Sequence, residues 1–117
     1  MKTTINSEQR IQQRINELYH LGEVYAEALG RETKLKHFRK SKLAILKIKY
    51  STENPKWTNA KCEDYARGDK EYLEVVEGLA IAVHEKEKAH QELMTARAGI
   101  QIYQTQRADR RAEMKIL

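Results

Sequence analysis

Between Tyr72 and Met114 a single spacing governs the chain. Positions 72, 76, 79, 83, 86, 90, 93, 97, 100, 104, 107, 111 and 114 advance by alternating steps of four and three residues. They hold Tyr72, Val76, Leu79, Val83, Lys86, His90, Leu93, Arg97, Ile100, Gln104, Arg107, Arg111 and Met114. A side chain that returns every 3.5 residues stays on one side of an α-helix, whereas a strand would need a period of two. The segment therefore reads as one long helix, roughly 70–112, whose seam seeks another helix. The first half of that seam is apolar and the second is interrupted by polar groups, which set register or partner number at a cost in stability. The seam offers more apolar stripe than one short chain can cover. The expectation is a homo-oligomer assembled through Tyr72, Val76, Leu79, Val83, Leu93 and Ile100.

The rest of the chain reads as helix as well. Ser7 is placed to cap a helix beginning "EQRIQQRINELYHL", and Ile11, Ile15, Leu18, Tyr25 and Leu29 step by threes and fours along one stripe. Gly22 falls on that stripe, where it costs about 1 kcal/mol against Ala, so the helix bends there or a neighbour comes close. After Gly30 the stripe resumes out of phase with Leu35, Phe38, Ile45 and Ile48, which are expected to face the core. Pro55 disfavours helix at Asn54 and removes a donor, so "STENPKWTN" stops this first helix. Thr58 or Asn59 then caps a short helix through "AKCEDYA", Gly68 closes it, and Asp69 caps the long last helix. One Pro and five Gly among 117 residues, with 40% apolar and only 7% aromatic content, suit helices packed side by side rather than a large globular core. The expected class is all-α: a single helical domain over 1–117 with two long helices and a short linking helix, bundle-like or coiled-coil-like. The N-terminal helix covers about 7–50, the connector 51–68 and the assembly helix 69–114.

Charge is distributed in blocks. The stretch "KLKHFRKSKLAILKIKY", residues 34–50, holds seven cations (Lys34, Lys36, Arg39, Lys40, Lys42, Lys47 and Lys49) and not one carboxylate, although the chain has 17 acidic residues. Residues 69–92 are net acidic and the tail after them is basic. Such asymmetry points to an anionic partner or to charge-matched self-association. Lys stems cover apolar surface while their heads stay in water, so a basic helix face need not bind anything. Yet seven cations on about five turns repel one another, and a counter-anion relieves that repulsion. On a helix Lys36, Arg39, Lys40 and Lys47 fall broadly on one side. With Lys42, Lys49 and the aromatic Tyr50 they make a phosphate-tracking stripe, for which nucleic acid is the leading partner and protein or membrane anions are the others. Tyr50 and Trp57 each read in two ways, as packing anchors or as platforms on which bases stack. In the tail, Arg107, Arg110 and Arg111 form a second basic group. Lys and Arg in a last turn favour the helix dipole, but Arg107 and Arg111 lie on the seam, and burying them requires an acidic neighbouring subunit or phosphates.

The chemistry of an enzyme is not legible. His20, His37, His84 and His90 have no zinc spacing with a cysteine, and neither a Gly-rich phosphate loop nor a Gly-x-Ser-x-Gly elbow occurs. Cys62 is the only cysteine, which excludes an internal disulfide, and it reads as a plain, partly buried thiol. "HEKEKAHQE" at 84–92 reads as a solvated, ion-paired helix surface. No cofactor or metal is expected. No apolar run approaches membrane-spanning length and "MKTTINSEQR" lacks a signal-peptide core, so a soluble protein of the cytoplasm is the expectation.

A basic-apolar helix ending in an aromatic, a polar connector, "DKEYLEVVEGL" and then "ELMTARAGIQIYQTQRADRRAEM" together resemble the UvsY-type recombination mediator proteins of T-even-like bacteriophages. The similarity covers roughly residues 34–114. It implies a small, all-helical, oligomeric and non-enzymatic protein in a bacterial host's cytoplasm. Such a protein binds single-stranded DNA and helps a recombinase replace single-strand binding protein. The family's Lys/Arg-apolar motif ahead of a Tyr has its counterpart in "KIKY", so the resemblance implies DNA contacts for Lys47, Lys49 and Tyr50; the family's Arg is a Lys here. A protein from another class fits the same sequence: a small phage protein that blocks a host defence protein, its acidic block imitating nucleic acid. A structural coiled-coil scaffold is the third reading.

Overall fold

The computed structural model describes residues 6–116, and the side chains of 6–115. All regular structure among them is helical: α1 (Ser7–Glu53), α2 (Asn59–Arg67) and α3 (Lys70–Ile116). Local chemistry sets each boundary. At the start of α1 the Asn6 side chain accepts the Gln9 N–H at 2.8 Å, and the Gln9 side chain accepts the Asn6 N–H at 3.1 Å. This reciprocal capping box makes Asn6, not Ser7, the cap. The helix then passes through Gly22 and Gly30 without interruption. A methyl group added at either would meet nothing within 4 Å, so neither glycine marks a close neighbour. α1 continues to Glu53, three residues past Tyr50. There the Asn54 N–H and side-chain amide both reach the Tyr50 carbonyl, at 3.0 and 3.2 Å, and Pro55 prevents another turn. Thr58 caps α2 by accepting the Lys61 N–H at 3.2 Å, and Asp69 caps α3 by accepting the Glu71 N–H at 2.9 Å. Among the described residues, no helix is long and apolar enough to cross a membrane.

The chain divides into two packed units, one of the residues up to Ala26 with those from Glu87 onward, the other Glu27–Lys86. The sequence suggests one domain. Helical segments lying side by side touch only their near neighbours across the seam, so packing is local and divides. In the Glu27–Lys86 unit the latter part of α1 runs antiparallel to the first part of α3, with Arg31 beside Glu85, Lys42 beside Glu71 and Tyr50 beside Asp69. Its core joins one residue from each helix, Leu46, Ala66 and Tyr72, with Leu43 and Tyr50 packed against them. In the other unit the start of α1 pairs with the latter part of α3. Ile11, Ile15, Leu18 and Tyr25 are half-buried there, Ala89 and Leu93 are buried, and Tyr25 lies 5.3 Å from the His90 ring.

Two readings of which side chains face inward need correction. On α3 the inward positions are Tyr72, Val75, Leu79, Ala82 and Lys86, then Ala89, Leu93, Ala96, Ile100 and Tyr103. Half of the expected seam is right, and the other half lies one residue early: 75, 82, 89 and 96 replace 76, 83, 90 and 97. Alanine holds three of these places, and a small side chain lets two helix axes approach. Val83 is only half-buried, while Val76 and Arg97 are exposed. Tyr72, Leu79 and Leu93 are buried by their own chain, so their burial needs no second copy. On α1 the phase never breaks: Ala28, Glu32, Leu35, Arg39, Leu43 and Leu46 continue inward. Leu29, Phe38, Ile45 and Ile48 point outward, with Phe38 52% and Ile48 67% exposed. The bulkiest apolar groups of this stretch lie on the water side, and a carboxylate lies inside.

Candidate nucleic-acid interface

The basic stretch occupies the α1 segment of the Glu27–Lys86 unit, and its cations fall into distinct groups. Lys42 is three-quarters buried and meets Glu71 of α3 at 2.6 Å. Lys36 meets Glu32 at 2.7 Å, one turn back on its own helix, with the acid N-terminal to the base as the helix dipole prefers. Arg39 is half-buried on the inward side and Lys47 is half-buried near Glu63, whose carboxyl the Arg67 hydrogen bond, and then the Lys47 charge, hold below the usual carboxylate range. Lys34, Lys40 and Lys49 are exposed, and none of the three makes an ion pair among the described residues. The expected stripe is thus split. Lys42, Lys36 and Arg39 are engaged by or turned toward the protein, whereas Lys34 and Lys49 face water on the side of the outward Phe38 and Ile45, and Lys40 is exposed on the flank it shares with Lys36 and Lys47.

Part of the missing acid is therefore supplied from within. Antiparallel pairing brings the acidic block of α3 alongside the basic block of α1 through Lys42–Glu71, with Arg31–Glu85 just before that block. The most buried of these charges is Glu32, whose two oxygens take different lysines: Lys36 at 2.7 Å on Oε1 and Lys86 of α3 at 2.7 Å on Oε2. The Lys86 contact is an ion pair by distance, with an angle outside good hydrogen-bond geometry. Lys36, then Lys86, hold the Glu32 carboxyl below the usual carboxylate range against the opposing push of burial. A carboxylate and an ammonium at facing seam positions specify register, since any slip strands both in an apolar layer. The sequence placed Lys86 on the seam but gave no sign of its partner.

Tyr50 ends the basic stretch and is tied inward. Its hydroxyl donates to Asp69 Oδ2 at 2.7 Å and its ring packs on the Leu46–Ala66–Tyr72 core. That hydrogen bond, followed by the Glu71 N–H, keeps Asp69 below the usual carboxylate range, and Asp69 in turn pushes the Tyr50 phenol up. One side chain thereby caps α3 and anchors α1. Around Tyr50 an aromatic corner forms, with Trp57 at 6.4 Å and nearly parallel, and Tyr65 of α2 at 5.9 Å. Trp57 and Tyr65 are closer still, at 4.5 Å, and Lys61 Nζ sits 4.5 Å over the indole. Trp57 thus packs the connector, as one of its two readings held, while Tyr65 went unnoticed because nothing about a tyrosine in "CEDYA" marks it. Cys62 is buried beside this corner and unpaired.

The second basic group belongs to the other unit. Arg107, Arg110 and Arg111 are all exposed, and Arg107 and Arg110 line a shallow cleft with Ser7, Glu8 and Tyr103. Their burial, which would have demanded an anionic partner, does not occur within the chain. No protein-family model, no curated protein and no solved structure matches this chain.

Proposed function

We propose that the chain is a non-enzymatic accessory protein that binds single-stranded DNA, in the manner of a recombination mediator that assists recombinase loading. The observation that carries this reading is the exposed surface of α1, where Lys34 and Lys49 remain unneutralised on the side of exposed Phe38 and Ile45, and Lys40 on the adjoining flank, while Lys36 and Lys42 meet carboxylates. Cations with apolar and aromatic neighbours, and no shaped donor array, suit a flexible polyanion held by its backbone without sequence readout. Homo-oligomerisation has apolar surface on α3 to work with. Outward apolar groups on α3, Leu73, Val76 and Ile81, give a second copy something to cover, and a recombinase or a single-strand binding protein are the further partners of this role.

Salt dependence provides the test. Each phosphate neutralised on a single strand contributes a log–log slope of about −0.7. Replacing Lys34, Lys40 and Lys49 together by Ala should flatten the slope by about 2.1 if each holds a phosphate, with helicity intact because Ala is the better helix former. Lys36→Ala and Lys42→Ala should change it less, since carboxylates already hold those ammonium groups. An unchanged affinity and slope in the triple variant defeats the reading. The exposed apolar and acidic groups of α3, among them Leu73, Glu74, Glu77 and Ile81, would then favour the second reading, a protein that blocks a host partner.

A further inference from the structure

We propose that the corner between α1 and α2 is a base-stacking platform, with Tyr65 as its outer ring and Trp57 behind it. The proposal rests on the single-stranded DNA reading above and adds the side chains that meet the bases. Tyr50, implied for that role by resemblance, is committed elsewhere: its hydroxyl is bonded to Asp69 and its ring is packed on the core. Tyr65 is not. Half of its surface is exposed, and no core residue demands that an aromatic ring stand there. Its inner side is backed by Trp57 at 4.5 Å and Tyr50 at 5.9 Å, which hold the ring in place before any ligand arrives. A preordered aromatic face costs a ligand little ordering entropy.

The surroundings suit an unpaired base and its phosphates. Lys49 and Lys61 are exposed at the corner, Lys61 lying over the indole and Lys49 5.8 Å from the Tyr50 ring. A base stacked on Tyr65 would therefore carry its flanking phosphates near the Lys49 and Lys61 ammonium groups. Of the carboxylates at this end, Glu63 is held by Arg67 at 2.9 Å and Asp69 by Tyr50. Glu53 and Asp64 remain exposed and oppose phosphate here. Charge at the corner is nearly balanced, so what the platform adds is stacking, which every base supplies and which a duplex, its faces already stacked, does not offer.

Trp57 is the only tryptophan in the chain, so its emission reports on the corner directly. A fluorescein-labelled oligothymidylate is titrated with the full chain, following label anisotropy and Trp57 emission together. The expected result is quenching of Trp57, and its protection from acrylamide, in step with the rise in anisotropy. Tyr65→Ala should weaken binding about 5- to 150-fold without altering the salt slope, while Tyr65→Phe retains wild-type affinity. Lys61→Ala should lower the slope by about 0.7. If the wild type raises anisotropy while Trp57 stays unquenched and unprotected, and Tyr65→Ala binds as wild type does, the platform is refuted and the DNA reading stands. If anisotropy never rises, both fall. Should Tyr65→Ala lose helicity, acrylamide protection of Trp57 in the wild type decides alone, and an unprotected indole overturns the proposal. Binding of duplex as tightly as of single strands overturns it too.

Discussion

Leu46 and Ile48 stand two residues apart on α1 and meet opposite fates, which makes them a direct test of the packing. Leu46 is 1% exposed between Ala66 of α2 and Tyr72 of α3, whereas Ile48 faces water. Truncating a buried leucine to alanine costs about 2–5 kcal/mol, depending on how far the site collapses. Here Ala66 cannot grow into the void, but half-buried Leu43 and Tyr50 have room to shift, so a mid-range loss of about 3 kcal/mol is expected for Leu46→Ala. For a unit of this size each kcal/mol moves the melting temperature by about 4–8 °C, which gives a fall of about 12–24 °C. Ile48→Ala should stay within about 0.5 kcal/mol, since little surface leaves water there and Ala suits a helix. Circular dichroism melts of both variants, run at the lowest workable concentration so that self-association contributes least, make the measurement. Equal losses at the two positions, or a larger one at Ile48, would falsify the register of α1 against α2 and α3.

Three further outcomes follow from the same packing. Ala82→Leu and Ala89→Leu should each cost about 1–3 kcal/mol by overfilling a seam built for small side chains, while exposed Ala80→Leu should be nearly neutral, as chemical denaturation will register. Because Asp69, Glu32 and Glu63 are held below their ordinary carboxylate values, their stabilisation is complete above those ordinary values, near pH 4, and is lost as pH falls through the lower folded-state values. Tyr50→Phe, which removes the largest cause at Asp69, should flatten the acid limb of a melting-temperature-against-pH curve, and an identical limb counts against that hydrogen bond. Glu32→Leu should lower the melting temperature by removing the buried carboxylate that both Lys36 and Lys86 meet, whereas Lys86→Leu should lower it less, because Lys36 still holds Glu32 at 2.7 Å.

The helices themselves were legible because their signals are local. Pro55, Thr58, Gly68 and Asp69 act within a turn of where they stand, and each boundary they mark lies within a few residues of its expected place. The facing of the side chains was less legible, for a physical reason that recurs along both long helices. A heptad seam is read by looking for bulk, and this chain puts bulk outside. At 82, 89 and 96 the inward group is a methyl, buried at 82 and 89 and half-buried at 96. At 32 and 86 the inward groups are charged, and the buried Glu32 is tolerable because Lys86 and Lys36 both meet it.

The same inversion bears on function. Had Phe38, Ile45 and Ile48 been core, the basic stretch would be an ordinary solvated face, since lysine stems commonly flank a buried stripe. With those three outside, the unneutralised Lys34 and Lys49 lie beside apolar surface that the chain leaves uncovered. Neither feature alone requires a ligand. Exposed apolar groups scatter over most protein surfaces, and lysines repel one another only weakly across water. Their coincidence on one helix face is different, because a partner that neutralises the cations also covers the apolar groups, and a nucleobase strand offers both an anionic backbone and flat apolar faces. The ion-paired lysines of the same stretch supply the internal control: Lys36 and Lys42 share its sequence character, yet they have carboxylates at 2.7 and 2.6 Å and so gain less from a phosphate.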